Sequence, residues 1–184
     1  MKNQREQIML DVDKCCITRF PAPVLGQPAK PVEKIDDNIR ALADKMKDIM
    51  VEYKGVGLAG PQAGVGLRIF VASPDGTKEN AKVYLNPVIT PSGKLESIEE
   101  GCLSLPGLWG KIRRYTKCSI KAKGLDGKEF SEETEGLLAR IFQHECDHLN
   151  GTIITDKFSA VAKIGARKKL KQLREEYEQQ KGKK

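Results

Sequence analysis

The sequence contains little that would anchor the protein in a membrane or carry it across one. Its 184 residues include no apolar run close to the ~18 residues that a membrane-spanning helix requires. The segment MKNQREQIMLDVDK at the N-terminus lacks the apolar stretch and the small-residue cleavage site of a secretory signal. We therefore expect neither a membrane partner nor export.

The cysteines do not form the pattern of a disulfide framework. Their number, five, is odd, and they share no repeated spacing. Such a set is typical of free thiols or metal ligands in a reducing compartment, so we expect a cytoplasmic protein. Cys118 alternates with apolar residues in a strand-like segment, which predicts core packing for its thiol. Cys146 lies between two histidines but off their helix face, which favours core packing over metal ligation.

Net positive charge is absent from most of the chain and concentrated at its C-terminal end. The net charge is +7, yet residues 157–184 alone hold ten basic and three acidic side chains, which leaves the rest neutral. This distribution excludes a uniformly basic nucleic-acid-coating domain, and we expect no sequence-specific nucleic-acid binding. It predicts one attachment surface for an anionic partner.

Apolar periodicity predicts an α+β protein with a single domain. A first helix is expected from Asp36 or Asp37 to about Tyr53, and a second from about Glu133 to Asn150 with Gly151 as its C-terminal cap. Between them, residues 69–130 read as strands separated by turn signals at 74–76, 91–93 and 126–127. We expect antiparallel β-sheets around a central helix.

The two ends of the chain have their own character. Residues 1–16 form a polar extension, 17–157 the body, and 158–184 a basic amphipathic helix of the same domain. The apolar side of that last helix is expected to consist of Val161, Ile164, Leu170, Leu173 and Tyr177.

The clearest chemical signal lies in the second helix. His144 and His148, the only histidines of the chain, are four residues apart and therefore share one helix face. Both imidazoles can reach one metal ion, with Glu145 beside it as a proton acceptor. The sequence therefore predicts a metal-binding helix.

A third metal ligand decides the class of enzyme. The residue six positions after His148 is Ile154, which excludes the metallopeptidases that place a third histidine there. The next glutamate, Glu175, lies deep in the cationic tail and is a poor candidate. Cys102 follows a glycine in a strand-to-turn segment, and a thiolate is a strong ligand, so Cys102 is the expected third ligand.

Three segments resemble the signatures of the peptide deformylase family. In order, they are Gly55-Val56-Gly57-Leu58-Ala59-Gly60-Pro61-Gln62, Glu100-Gly101-Cys102-Leu103-Ser104 and Gln143-His144-Glu145-Cys146-Asp147-His148. The similarity runs from about residue 17 to the C-terminus, which resembles the bacterial and organellar class with a final helix. It implies hydrolysis of the N-formyl group from N-formylmethionyl nascent peptides, with release of formate.

The resemblance also implies roles for individual residues. Cys102, His144 and His148 would hold one divalent metal ion, with Fe(II) in the cell and Zn, Ni or Co in purified protein. Glu145 would move the proton, while the Gln62 amide and the Leu103 backbone N–H would stabilise the oxyanion. A monomer that docks on the ribosome through its basic helix is expected.

Substrate contacts are expected along the glycine-rich segment. A peptide can pair with the edge at Val56–Leu58, where Gly55 and Gly57 carry no Cβ to obstruct it, and Gly101 allows a close backbone approach. The family's pocket positions match Val56, Ile98, Leu137 and Ile141. Core packing is the alternative for Leu137 and Ile141.

Three residues depart from the family's pattern. Gly60 replaces a usual Ala and should loosen the backbone before Gln62, and Cys146 adds a thiol that could be sensitive to oxidation. Trp109 replaces an Arg, whose role Arg113 or Arg114 could take over. Two alternatives stay open: a metallopeptidase, and an inactive homologue that binds ribosomes through its tail.

Overall fold

A single antiparallel sheet carries the fold. In the computed structural model, which describes residues 11–181, five strands lie in chain order: β1 (Gly57–Ala59), β2 (Ile69–Ala72), β3 (Lys82–Gly101), β4 (Trp109–Lys123) and β5 (Glu129–Glu135). Three helices accompany them: α1 (Asp37–Glu52), α2 (Gly136–Leu149) and α3 (Ala160–Lys181). The α+β prediction is confirmed, with one sheet. The polar extension predicted at the N-terminus lies largely outside the described residues.

Helix α1 forms as its sequence pattern predicts. The Asp36 side chain caps it by accepting a hydrogen bond from the Ile39 N–H at 3.2 Å. Its apolar stripe, which includes Leu42, Met46 and Met50, is fully buried against the residues of β1 and β2. The helix thereby fixes the short strand β1, from which the glycine-rich segment starts.

Strand β3 is longer than the sequence predicts. The signal at 91–93 is not a turn: Gly93 has a φ of +81° and lies inside β3, where the pairing with β4 shifts register between Ser92 and Leu95. A glycine at positive φ serves a β-bulge as well as a turn, which is why the local sequence was misleading. The turns at 74–76 and 126–127 are confirmed by positive φ at Gly76 and Gly127.

Helix α2 begins later than predicted and ends where predicted. Residues 133–135 belong to β5, which pairs with β4, so the helix starts only at Gly136. At its other end, Gly151 takes a φ of +73° and donates its N–H to the carbonyl of His148 at 3.1 Å. In between, Phe142 packs on Phe70 and Tyr84 of the sheet, with ring centroids 5.7 and 4.8 Å apart.

Helix α3 packs through a face that matches the predicted one only in part, because Leu170 and Leu173 pack on the body as predicted. Ala166 and Leu173 are buried, with Ala162 and Leu170 partly buried beside them. Val161 and Ile164 are instead 79% and 59% exposed, so their assignment to the packed face is wrong. The small alanines allow close approach to the loop after β3, and this tertiary contact selects the face.

No helix among residues 11–181 is long and apolar enough to cross a membrane.

Candidate metal centre

Cys102, His144 and His148 lie together at the junction of the sheet and α2. Their ligand atoms are all within 4.8 Å of one another, and Cys102 Sγ is 3.2 Å from His148 Nε2. Cys102 directly follows the last residue of β3, while the histidines are one turn apart on α2. The structure thus brings together the three residues that the sequence indicates as metal ligands.

The Cys102 thiol is buried in an electrostatic setting that favours its ionised form. Burial raises its pKa, but the two histidines outweigh burial and hold the pKa well below its usual range. A thiolate is the form that binds metals. The loop is pinned by the Leu105 N–H, which donates to the Cys102 carbonyl at 3.0 Å.

Glu145 is buried beside the ligands with half of its carboxylate unpaired. Oε2 has no hydrogen-bond partner among the described residues. Burial raises the pKa of Glu145 to about 7, although the charges of His144 and His148 oppose the shift. A carboxyl group with a pKa near neutral can both accept and release a proton. One thiolate, two imidazoles and an unpaired carboxylate oxygen therefore fit a catalytic transition-metal ion.

Glu100 orients the first histidine. The His144 Nδ1–H donates to Glu100 Oε2 at 3.2 Å, which leaves Nε2 as the ligand atom. Burial raises the pKa of Glu100, but hydrogen bonds from His144 and Arg114 lower it to about 2. Burial lowers the pKa of His144, but its hydrogen bonds with Cys102 and Glu100 raise it to about 10.

Two arginines that the sequence analysis did not assign to the metal site hold Glu100. Arg114 Nε lies 2.8 Å from Glu100 Oε1, and Arg114 Nη1 lies 2.8 Å from Asp147 Oδ2. Arg140 Nη1 lies 2.6 Å from Glu100 Oε1. Arg114 is only 3% exposed, so the expectation that it could replace an arginine near the substrate is wrong. The position of Arg140 four residues before His144 was the only local signal.

Gln62 presents its amide nitrogen to the cluster. Gln62 Oε1 accepts the Ala59 N–H at 2.8 Å, and Nε2 lies 3.4 Å from Cys102 Sγ. The hydrogen bond to Ala59 therefore fixes which end of the amide faces the ligands. The backbone before Gln62 is not loose: a Cβ on Gly60 would lie 2.5 Å from the Leu67 carbonyl oxygen, so neighbouring backbone encloses this glycine.

Comparisons with known proteins agree with this geometry. A family model described as polypeptide deformylase matches residues 14–163. The chain belongs to the peptide deformylase family. It is 44% identical over 155 residues to the peptide deformylase of Pseudomonas aeruginosa, covering 84% of this chain and 92% of that one.

Solved deformylase structures share the fold. The enzyme from Plasmodium falciparum superposes with a TM-score of 0.84 at 38% identity, covering 88% of this chain and 96% of that one. Peptide deformylase 1B from Arabidopsis thaliana gives a TM-score of 0.86 at 35% identity, and the match covers 91% of this chain and 94% of that one. The deformylase hypothesis is confirmed: the chain is a metal-dependent hydrolase that removes the N-formyl group from the initiator methionine of nascent polypeptides and releases formate.

The glycines of the deformylase signature make room for side chains of the site. A Cβ on Gly57 would lie 2.5 Å from Glu145 Oε1, and a Cβ on Gly55 would lie 2.8 Å from Leu103 Cδ1. This close packing adds to the expected role of both glycines in peptide binding, which stays a prediction. Likewise, the Trp109 indole covers Gly101, where a Cβ would lie 3.0 Å from three ring atoms.

The pocket residues inferred from the family fall into two groups. Val56, Ile98 and Leu137 are 36%, 47% and 53% exposed, whereas Ile141 is buried in the core beneath the sheet. Strand β1 pairs only with β2 within the described sheet, which leaves its other edge free.

Proposed function

We propose that Cys102, His144 and His148 hold the divalent ion of this deformylase and that Glu145 transfers the proton. The observation that carries the proposal is the convergence of the three ligand atoms within 4.8 Å of one another. The unpaired, buried Oε2 of Glu145 supports it, because a buried carboxylate oxygen without a partner is costly unless it serves a bound group.

The side chains account for the proton transfers. When bound, a divalent ion supplies Lewis-acid activation of water and of the formyl carbonyl. Glu145, whose pKa burial raises to about 7, takes a proton from the attacking water and returns it to the leaving amine. Contact with Gly57 confines the carboxylate to one position.

Oxyanion stabilisation is assigned to two donors. The Gln62 Nε2 group is held near Cys102 by the bond between Oε1 and Ala59, so it is oriented before the substrate arrives. The Leu103 backbone N–H is the second donor, because Leu103 follows the metal ligand directly. Leu103 is thus adjacent in sequence to Cys102, and Gln62 lies in contact with the same residue.

The peptide is proposed to bind along the free edge of β1. Its backbone pairs with the residues from Gly55 to Gly57, and Gly101 borders the same site. The methionine side chain of the substrate contacts Val56, Ile98, Leu137 and Ile141, whose apolar surfaces suit an unbranched thioether. Ile141 forms the floor of this pocket because it is the buried member of the group.

Fe(II) is the proposed ion in the cell, with Zn, Ni or Co in purified protein. The set of one thiolate and two imidazoles suits all of these ions, so availability and oxidation decide among them. Metal analysis of protein purified without oxygen tests this: iron at about one per chain is expected, and zinc at that level under strict anaerobiosis contradicts it.

The basic face of α3 is proposed to dock a cytoplasmic monomer onto the ribosome. Lys163, Lys168 and Lys171 are all exposed on this helix. The anionic backbone of ribosomal RNA attracts such a face in a salt-dependent manner. A triple variant that replaces these three lysines with Glu should lose ribosome co-sedimentation. A control triple variant that replaces the exposed Lys111, Lys117 and Lys121 of β4 with Glu should keep it. Equal binding of both triple variants contradicts this role.

One experiment tests the ligand assignment and the activity together. The wild type should deformylate formyl-Met-Ala and leave acetyl-Met-Ala intact, which separates it from a metallopeptidase. Cys102→Ala should lose the metal ion, and the matched variant Cys118→Ala should keep it, because Cys118 is buried in a different cluster. Equal metal content in all three proteins would refute the assignment.

A further inference from the structure

A third side chain extends the metal-binding face of α2. Arg140, His144 and His148 follow one another at intervals of four residues, so they lie in one row along the helix. The Arg140 Nη1–H donates to Glu100 Oε1 at 2.6 Å, and the other oxygen of that carboxylate accepts from His144 Nδ1 at 3.2 Å. Arg140 and His144 therefore hold the two oxygens of one carboxylate.

The guanidinium of Arg140 is nearly buried, and both of its terminal nitrogens donate hydrogen bonds. Its side chain is 11% exposed, and that of Glu100 is 9% exposed. Besides the carboxylate, Arg140 Nη1 donates to the Ile112 carbonyl and Nη2 to the Glu96 carbonyl, each at 3.2 Å. The guanidinium thus connects α2 to both β3 and β4, close to Glu100 at the end of β3.

Arg140 is the partner that Glu100 does not share with another carboxylate. Arg114 is shared between Glu100 and Asp147, so without Arg140 the buried Glu100 carboxylate would keep only this shared guanidinium and His144. Asp147 has a second cation in Lys157, at 3.1 Å, whereas the partners of Glu100 are Arg114, Arg140 and His144. Removing one partner of a buried ion pair is strongly destabilising, and here the loss would fall on the carboxylate that touches a metal ligand.

We propose that Arg140 is a positioning residue of the metal centre, which acts on His144 through Glu100. It fixes Glu100 Oε1, and the carboxylate in turn holds His144 Nδ1 so that Nε2 stays with Cys102 and His148. The inference rests on the proposed metal ligands. Partners that orient a ligating histidine typically change metal affinity by ~10–100-fold when removed.

Zinc release measures this role without any assay of activity. Purified Zn-loaded enzyme is mixed with a chromogenic chelator, and the release rate is followed. Arg140→Met, which keeps the apolar stem, should release zinc ~10–100-fold faster than wild type. Arg140→Lys should recover part of the loss, because an ammonium group can reach Glu100 but cannot fork to both carbonyls. Should Arg140→Met fail to fold, wild-type release from Arg140→Lys and Arg140→Gln overturns the proposal.

A double-mutant cycle separates positioning from simple bracing. In a Glu100→Gln background, Arg140→Met should change the release rate by less than about threefold, because its route to His144 is already cut. An equal acceleration in both backgrounds would show that Arg140 acts only through the two carbonyls, and would overturn the proposal.

Arg68 provides a matched control. It also braces α2, donating to the Leu149 carbonyl at 3.2 Å and to the Pro87 carbonyl at 3.3 Å, and it hydrogen-bonds no carboxylate among residues 11–181. Arg68→Met should lower the melting temperature but leave zinc release unchanged. Acceleration equal to that of Arg140→Met would overturn the proposal.

Failure of the ligand assignment would look different. If Cys102→Ala holds as much zinc as wild type, the ligand assignment fails and Arg140 has no centre to position. If Cys102→Ala loses zinc while Arg140→Met releases it at the wild-type rate, the ligands stand and the role of Arg140 is refuted.

Discussion

The carboxylate of Glu145 lies against the Cα of Gly57, so closely that a Cβ on Gly57 would come within 2.5 Å of Oε1 and 2.9 Å of Ile141 Cγ2. Gly57→Ala should therefore displace the proton-transferring group. A misplacement of about 1 Å can cost on the order of 100-fold in rate, so we expect a loss of that size in kcat with formyl-Met-Ala.

The control for this substitution is Gly26→Ala. A Cβ at Gly26 meets nothing within 4 Å, so its activity should equal that of the wild type. Equal kcat values for the two alanine variants would show that Glu145 is not confined by Gly57.

Loss of the Gln62 amide should slow the chemical step. Gln62→Leu removes the Nε2 donor that lies 3.4 Å from Cys102 Sγ, at a site that is 1% exposed. Removal of one oxyanion donor typically costs ~100-fold or more in kcat, with little change in KM. Steady-state kinetics at matched metal content measure it, and a raised KM with unchanged kcat would assign Gln62 to substrate binding instead.

The free thiols should differ in reactivity at pH 8. Burial raises the pKa of Cys118 to about 11 and that of Cys146 to about 12, so both stay protonated, whereas Cys16 is exposed. Iodoacetamide should modify Cys16 and spare Cys118 and Cys146, as read by peptide mass spectrometry. Cys146 should also resist oxidation, contrary to the sensitivity expected from the sequence. Labelling of Cys146 as fast as Cys16 would contradict its burial.

Substitution by alanine should change the stability of the protein in opposite directions at Gly165, inside α3, and at Gly151, just after α2. Gly165 lies in α3 with open space around it, so Gly165→Ala should stabilise the protein by up to about 1 kcal/mol. Gly151 caps α2 at a φ of +73°, and a Cβ there would lie 2.9 Å from the carbonyl carbon of Gln27. Gly151→Ala should therefore destabilise the protein by about 1 kcal/mol or more, on the order expected for a strained left-handed residue. Denaturant unfolding of both variants checks the signs; shifts of the same sign would contradict them.

Local patterns predict the features that depend on neighbouring residues. The spacing of His144 and His148 places two ligands on one face, and the cap at Asp36 and the stop at Gly151 set helix ends. Cys102 could be selected by elimination because few alternative ligands exist. Periodicity and caps are physical properties of the segment itself, so they survive folding unchanged.

The remaining features depend on contacts between distant segments. The packed face of α3 is chosen by the loop after Cys102, and the bulge at Gly93 is chosen by its pairing with β4. Arg114 reaches Glu100 and Asp147 only after β3, β4 and α2 assemble. A local sequence pattern contains no information about contacts between distant segments. The sequence therefore did not predict that arginines hold the carboxylate that orients His144.

The most direct test of the account is the deformylation rate of Glu145→Gln at known metal content. In the proposed mechanism, the metal ion is held by Cys102, His144 and His148, while Glu145 transfers the proton. The account predicts about one metal ion per chain, as in wild type, with kcat lowered by ~100–10,000-fold. A Glu145→Gln enzyme with full metal content and a rate within a few fold of wild type would contradict it.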